Sequence, residues 1–287
     1  MQNQTQQNNP LQKYFRQPKL YISLPSRGEH WPEDALEKTE TNEYPIYAMT
    51  ARDEIAMKTP DALLNGQATV EVIQSCVPNI KNAWAMPSID SDALMIAIRI
   101  ATYGEIMDLS IKTPVTGDEK DFQIDLRTLL DHFNSANYDN QLTVGEMSVH
   151  LRPLNYKEVN ETSMKTFEQQ RIFKVLNDDS IPESDKLQSF ADSFKKLTDL
   201  TVLTLEKSIK SIETPDGETV DNPEWISEFV SNTDKDLYKA ITDKVESEKE
   251  KFTVKPMIVD ATPEEIEKGV PETYEVPISF DQSTFFG

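Results

Sequence analysis

Glycine is scarce in this chain. There are only 8 in 287 residues, at positions 28, 66, 104, 117, 145, 217, 269 and 287, and no two lie closer than 13 residues. Phosphate-cradling loops and the strained turn that carries a nucleophilic serine need two or more glycines within a few residues, because backbone must approach a ligand or turn sharply. Those motifs are therefore excluded. Histidine and cysteine are scarcer still, with 3 and 1. His30, His132 and His150 cannot form a two-histidine zinc helix, and Cys76 alone cannot form a zinc knuckle or an internal disulfide. The longest apolar run, Ala93 to Ile98, is far too short to span a bilayer. One cysteine and no signal peptide point to a reducing cytoplasm.

Acid is what the chain has in abundance. Fifty acidic against 29 basic side chains give a net charge of −21. The last third, 201–287, carries 20 acids and 9 bases, so −11 of the total sits there. Such a charge opposes binding to bare nucleic acid or an anionic membrane, and favours docking on a basic protein surface. Hydrophobic residues make up 37%, low for a compact enzyme of this length, and 28% are charged, which suits helices with one solvated face.

Periodicity predicts an α+β fold, mostly helical, with small antiparallel hairpins and a long helical hairpin. Residues 1–18, rich in Gln and Asn, read as a disordered arm. A strand over 19–24 leads into the turn Pro25-Ser26-Arg27-Gly28, then a polar loop over 29–43. Thr50 and Asp53 have capping-box spacing, and Thr59-Pro60 to Asn65-Gly66 reads as a second short helix. Val70, Ile73 and Val77 share a face, and Ser88 to Tyr103 is apolar nearly all round, as a central buried helix is. Alternation over 107–111 and 122–126 about Thr113-Pro114-Val115-Thr116-Gly117-Asp118 predicts a hairpin; a short helix with Leu129, Leu130 and Phe133 and a strand over 147–151 follow. Residues 156–177 read as one helix. A second carries Leu187, Phe190, Phe194, Leu197, Val202, Leu205, Ile209 and Ile212 at spacings of 3 and 4. Asn222-Pro223 and Thr233-Asp234 open two more helices. Strands with Phe252, Val254, Ile258 and with Tyr274, Val276, Ile278, Phe280 flank a capping box at Thr262 and return to the same sheet. The implied organisation is an arm (1–18), a helical layer with a small sheet (19–154), the helical hairpin and following helices (155–250), and a terminal hairpin and tail (251–287).

No residue reads as catalytic, cofactor-binding or metal-binding. Asp131-His132 and His150 lack a serine on a tight turn. Asp118, Glu119 and Asp121 lack calcium-loop spacing and read as a solvated turn. Cys76 beside an apolar face reads as a small buried hydrophobe. The stripe from Leu187 packs on its hairpin mate or on a partner's helix. Arg27 anchors a carboxylate or fixes its own loop. Phe285 and Phe286 dock on the protein's own sheet or on a partner. The candidate partner-binding residues are Pro25, Arg27, Leu187, Phe190, Phe194, Leu197, Phe280, Phe285 and Phe286.

One resemblance joins these pieces. Ile22-Ser23-Leu24-Pro25-Ser26-Arg27-Gly28 leads to Pro45-Ile46-Tyr47-Ala48-Met49-Thr50-Ala51-Arg52-Asp53-Glu54. Thr59-Pro60-Asp61-Ala62-Leu63-Leu64-Asn65-Gly66, Val72-Ile73-Gln74-Ser75-Cys76 and Ile96-Ala97-Ile98-Arg99-Ile100-Ala101-Thr102-Tyr103-Gly104 follow in order. This order, with the closing phenylalanines, resembles the baseplate hub assembly proteins of T4-like contractile-tailed phages, strongly over 22–104 and loosely beyond. The resemblance implies a hub subunit or assembly chaperone that works by protein contact without catalysis or cofactor. Its partners would be other baseplate hub proteins, with a homo-oligomer also open. Its location would be the infected host's cytoplasm during assembly and the tail baseplate. Relatives carry Cys-x-x-Cys knuckles after the Tyr-Gly; here Thr113-Pro114-Val115-Thr116 stands instead, so the resemblance implies a zinc-ribbon-like hairpin without its metal. The readings kept beside it are a cell-wall hydrolase using paired carboxylates, which would need two carboxyl groups across a cleft, and a general acidic adaptor.

Overall fold

The computed structural model describes residues 11, 14–59, 66–175, 182–278 and 285. The fold is α+β, with helices throughout and several small antiparallel ladders. Most of the arm lies outside the described residues, but its end is docked. The Arg16 guanidinium donates to the carbonyl oxygens of Ala48 and Ser75, each at 2.5 Å.

Strand β1 (Pro18–Ser23) pairs antiparallel with β2 (Glu43–Tyr47), an element its sequence did not announce. Between them the expected polar loop places Trp31, Ala35 and Leu36 in the core. Helix α1 (Ala51–Met57) opens with the expected reciprocal box: Thr50 Oγ1 accepts from Asp53 N, and Asp53 accepts from Thr50 N. The helix expected over 60–65 lies outside the described residues. Gly66, read as a stop, is the N-cap of α2 (Gln67–Cys76), at φ 75°. With Asn160 Oδ1 2.9 Å from where a Cβ would sit, only glycine fits there.

Helix α3 (Ser88–Tyr103) is the centre of the larger core. Leu94, Ile96, Ala97 and Ile98 have no exposure, which no amphipathic surface helix could show. Hairpin β3 (Ile106–Lys112) and β4 (Glu119–Asp125) pairs in unbroken register, and α4 (Leu126–Ser135) buries Leu130 and Phe133 against the same core.

Strand β5 (Gln141–Val144), also unannounced, pairs with β6 (Met147–Leu151). The helical hairpin follows as α5 (Tyr156–Val175) and α6 (Glu183–Ser208). Here one expectation is corrected. Helix α6 ends at Ser208, and Ile209 and Ile212 belong to strand β7 (Ile209–Glu213), paired with β6. A bulge between the Leu151–Ile209 and His150–Ser211 pairs turns both isoleucines inward despite their spacing of three. Short β8 (Thr219–Val220) completes the four-stranded sheet β5-β6-β7-β8. Helices α7 (Pro223–Asn232) and α8 (Lys235–Glu250), capped by Asn222 and Asp234, cover it through Ile226, Val230, Leu237 and Ile241. The sheet takes strands from both sides of residue 154, where the sequence placed a boundary.

The last ladder is β9 (Met257–Asp260) with β10 (Thr273–Val276), flanking α9 (Pro263–Glu267). Among the described residues it forms a two-stranded sheet of its own, where a return to the same sheet was expected. It packs face to face on β3–β4, with Val270, Tyr274 and Val276 against Leu109, Ile111 and Phe122. Lys120 Nζ fastens the two hairpins, donating to Glu265 at 3.2 and 3.3 Å and to Tyr274 Oη at 3.4 Å.

Candidate contact surfaces

The turn after β1 is held from below. Ser26 N, Ser26 Oγ and Trp31 Nε1 donate to the Asp90 carboxylate at 2.7, 2.5 and 2.8 Å. Asp90 lies in the first turn of α3, where the helix dipole favours negative charge. Complete burial nevertheless pushes its carboxyl up to about 6, against the lowering effect of these hydrogen bonds. Above this anchor Arg27 and His30 adopt φ of 54° and 63°, a left-handed region that disfavours side chains. The Arg27 side chain is exposed and has no partner among the described residues. Pro25, beside it in the turn, is buried.

The helical hairpin is inside out along its outer half. Loss of exposure marks the inward positions: Val159, Thr162, Thr166 and Gln169 on α5, and Ser189, Ser193, Leu197 and Leu200 on α6. Most are small or polar, and Gln169 Oε1 and Ser193 Oγ are buried there without a hydrogen-bond partner. The large apolar groups point outward instead. Phe167 is 55% exposed, Leu187 67%, Phe194 63%, Phe190 42% and Met164 40%. Phe190 and Phe194 stack along the α6 surface with centroids 6.5 Å apart and 18° between planes. Of the four expected α6 anchors, then, Leu187, Phe190 and Phe194 face solvent and Leu197 is half-buried between the helices. Met164 and Phe167 were missed, although their spacing of three on a helix was the available signal.

The terminal phenylalanines divide. Phe285 is 1% exposed within the larger core, the own-fold alternative of the two docks expected for it. Phe280 and Phe286 lie outside the described residues. A further strained residue went unnoticed. Val115, at the tip of β3–β4, is 74% exposed at φ 69°. A β-branched residue in that region is strained by about 1–3 kcal/mol. Val115→Gly is therefore expected to stabilise the protein by about 0.5–1 kcal/mol, after the entropic cost of glycine is subtracted. A calorimetric melt should show the midpoint rise by about 1–3 °C; a fall would mean that the tip is not strained.

The reactive residue types are dispersed. Cys76 is buried, and burial pushes its thiol up to about 12. It should resist a thiol reagent at pH 8 in the folded protein and react at once in denaturant; rapid native labelling would contradict this placement. His132 is exposed, and His150 Nε2 lies 3.9 Å from Glu213. Asp121 accepts a hydrogen bond from Ser110, and Asp118 sits 3.8 Å from Lys268. Among the described residues no group of three or more His, Cys, Asp or Glu could hold a metal ion. A cavity of about 330 Å³ opens between α3, α5, α6 and α8. Asp92 is the one carboxylate in its lining, and burial pushes it up from the ordinary aspartate value. A two-carboxylate hydrolysis needs a second acid across the cleft, and among the described residues lining this cavity Asp92 is the one acid.

No helix among the described residues is long and apolar enough to cross a membrane. No curated protein and no solved structure matches the chain. Residues 32–260 match the family model described as T4 bacteriophage base plate protein, a span covering most of the sequence and every strand among the described residues except β1 and β10. The ordered turn, the outward-facing hairpin and the dispersed reactive groups suit that assignment, and the chain belongs to the T4 bacteriophage base plate protein family, structural proteins of the phage tail baseplate.

Proposed function

We propose that this protein is an assembly component of the baseplate hub that acts by protein–protein contact, without catalysis. The observation that carries this reading is the outward stripe of Phe167, Leu187, Phe190 and Phe194 on the helical hairpin. Solvent-facing aromatic anchors over a polar helix–helix seam contribute little to the chain's own stability. They gain when a partner removes them from water. The acidic remainder of the surface steers a basic hub protein, and the unpaired Arg27, raised on its anchored turn, offers a bidentate contact to a partner carboxylate. The protein would work in the infected host's cytoplasm as the hub is built.

Co-expression with the hub proteins tests the reading. Wild-type chain should co-purify with a hub complex through size exclusion. Phe167→Lys with Phe194→Glu, which should keep the far-ultraviolet dichroism and melting cooperativity because both sites are exposed, should be left out of it. Incorporation of that variant at the wild-type level would overturn the contact assignment. Mass spectrometry of purified particles then distinguishes a resident subunit from a chaperone that leaves.

A further inference from the structure

We infer that the cleft between His30, Arg152 and Lys210 is a carboxylate-binding site, fitted to one acidic side chain held between apolar neighbours on a segment of a partner protein. In a chain of net charge −21, a cleft of about 430 Å³ brings these three basic side chains together, and no acid stands among its described lining residues. They come from three places: the loop between β1 and β2, the segment after β6, and the start of β7. Backbone pairing assembles them. Arg152 N donates to the Ser208 carbonyl at 2.8 Å, which sets it beside the start of β7. Ser88 N donates to the Leu154 carbonyl at 2.8 Å and Tyr156 N to that of Met86 at 2.7 Å, which draws the segment 85–87 against 152–155. His30 is held at φ 63°, its ring edge-on to Tyr138 with centroids 5.7 Å apart. A side chain persists in that sparse region only where its surroundings impose it.

The uncompensated charge in the cleft is one. Arg152 is neutralised by Glu158, to which it donates at 2.8 and 2.9 Å. Its Nε proton and one Nη2 proton have no acceptor among the described residues, so the guanidinium keeps donors to offer. Burial lowers the His30 imidazole; neighbouring Glu29 opposes this, and Lys210 and Arg152 reinforce it, so the ring is neutral at pH 7. Lys210 is exposed and has no ion-pair partner among the described residues. One free cation beside neutral donors matches a carboxylate better than a phosphate, whose charge at pH 7 approaches −2. The walls are apolar, formed by Trp31, Pro32, Ala85, Pro87 and Pro153. A lone small anion would leave them in water, whereas a carboxylate between apolar neighbours covers them. The acidic remainder of the surface repels a uniformly acidic partner, so the fitting segment carries its carboxylate in an otherwise neutral or basic stretch.

NMR titration of the full chain, labelled with 13C and 15N, with a blocked leucine–glutamate–leucine tripeptide tests this. The His30 ring signal, identified by its loss in His30→Gln, should shift saturably with a Kd of about 1 mM. The glutamine counterpart of the peptide, and the Lys210→Gln chain with the original peptide, should each show binding weakened about tenfold. Lys268→Gln makes the same charge change outside the cleft and should bind as wild type does. An anion favours the imidazolium, so affinity should rise about threefold as pH falls from about 7 to 5.5; His30→Gln, followed on the Lys210 amide, should abolish that rise. Equal binding of the two peptides, unchanged affinity in Lys210→Gln, or a flat pH profile in wild type would overturn the inference. So would inorganic phosphate that shifts the His30 signal at lower concentration than the peptide. The site needs no contact at the hairpin stripe, so this inference and the hub reading fail separately.

Discussion

Asp90→Ala is expected to lower stability by about 3–5 kcal/mol, the largest effect of any single side chain outside the apolar core. The substitution removes the acceptor for Ser26 N, Ser26 Oγ and Trp31 Nε1 together. Each orphaned buried donor costs about 1–3 kcal/mol, and the three share one site, so the sum is less than additive. The turn carrying Arg27 loses its anchor, and Trp31, 8% exposed in the native state, should report the change as a red-shifted emission. Urea unfolding of wild type and variant measures the difference; a loss below about 1 kcal/mol would mean that the turn is held by other contacts. The pH dependence has a defined sign. Asp90 titrates at about 6 when folded and near 3.8 when exposed. The folded chain therefore holds this proton more tightly, and the group's contribution is fully present below about pH 4 and is lost as pH rises to 6. Two units correspond to roughly 3 kcal/mol. Asp90→Asn, which cannot ionise, removes that slope, so the stability of wild type relative to this variant should decline between pH 4 and 6 and stay level above it.

Glu248→Ala should cost about 2–3 kcal/mol, by a mechanism of opposite pH sign. Glu248 lies on α8 with 2% exposure. It accepts from Asp139 N at 2.8 Å and from Lys251 at 2.7 Å, and Lys244 lies at 2.9 Å. It thereby ties α8 to the segment entering β5. Burial pushes its carboxyl up, but the hydrogen bonds from Lys251, Asp139 N and Lys244 outweigh this and hold it below the ordinary glutamate value. Its contribution is present above the unfolded value and is lost as pH falls through the folded one. Removing it strands a part-buried N–H and two ammonium groups; the lysines are partly exposed and can turn to water, which keeps the cost below that of a fully buried pair. Chemical denaturation at pH 7 and pH 3.5 should show a gap between wild type and variant that narrows in acid. A gap that widens in acid would contradict the assignment.

Local rules were legible in the sequence. The capping boxes at Thr50 and Thr262, the hairpin about Thr113–Asp118, and the buried helix from Ser88 to Tyr103 are written in short-range spacing, and they form as expected. What failed was non-local. Ile209 and Ile212 carry helical spacing, yet pairing with β6 across a bulge makes them strand. β2 and β5 are five and four residues long, too short for alternation to stand out, and exist because a partner strand supplies their hydrogen bonds. For Phe285 the sequence left docking on its own fold and on a partner equally open, and the core takes it.

The hairpin shows the same division most clearly. Composition alone determined that this protein is a strongly acidic framework without clustered glycines or a zinc-knuckle motif, and the order of its segments already resembled a baseplate family. Which face of α6 looks outward was decided only by tertiary packing. An apolar stripe satisfies its period equally well against its own mate or against a partner. Small residues between α5 and α6 permit a close polar seam, and that seam leaves the phenylalanines for another surface to cover.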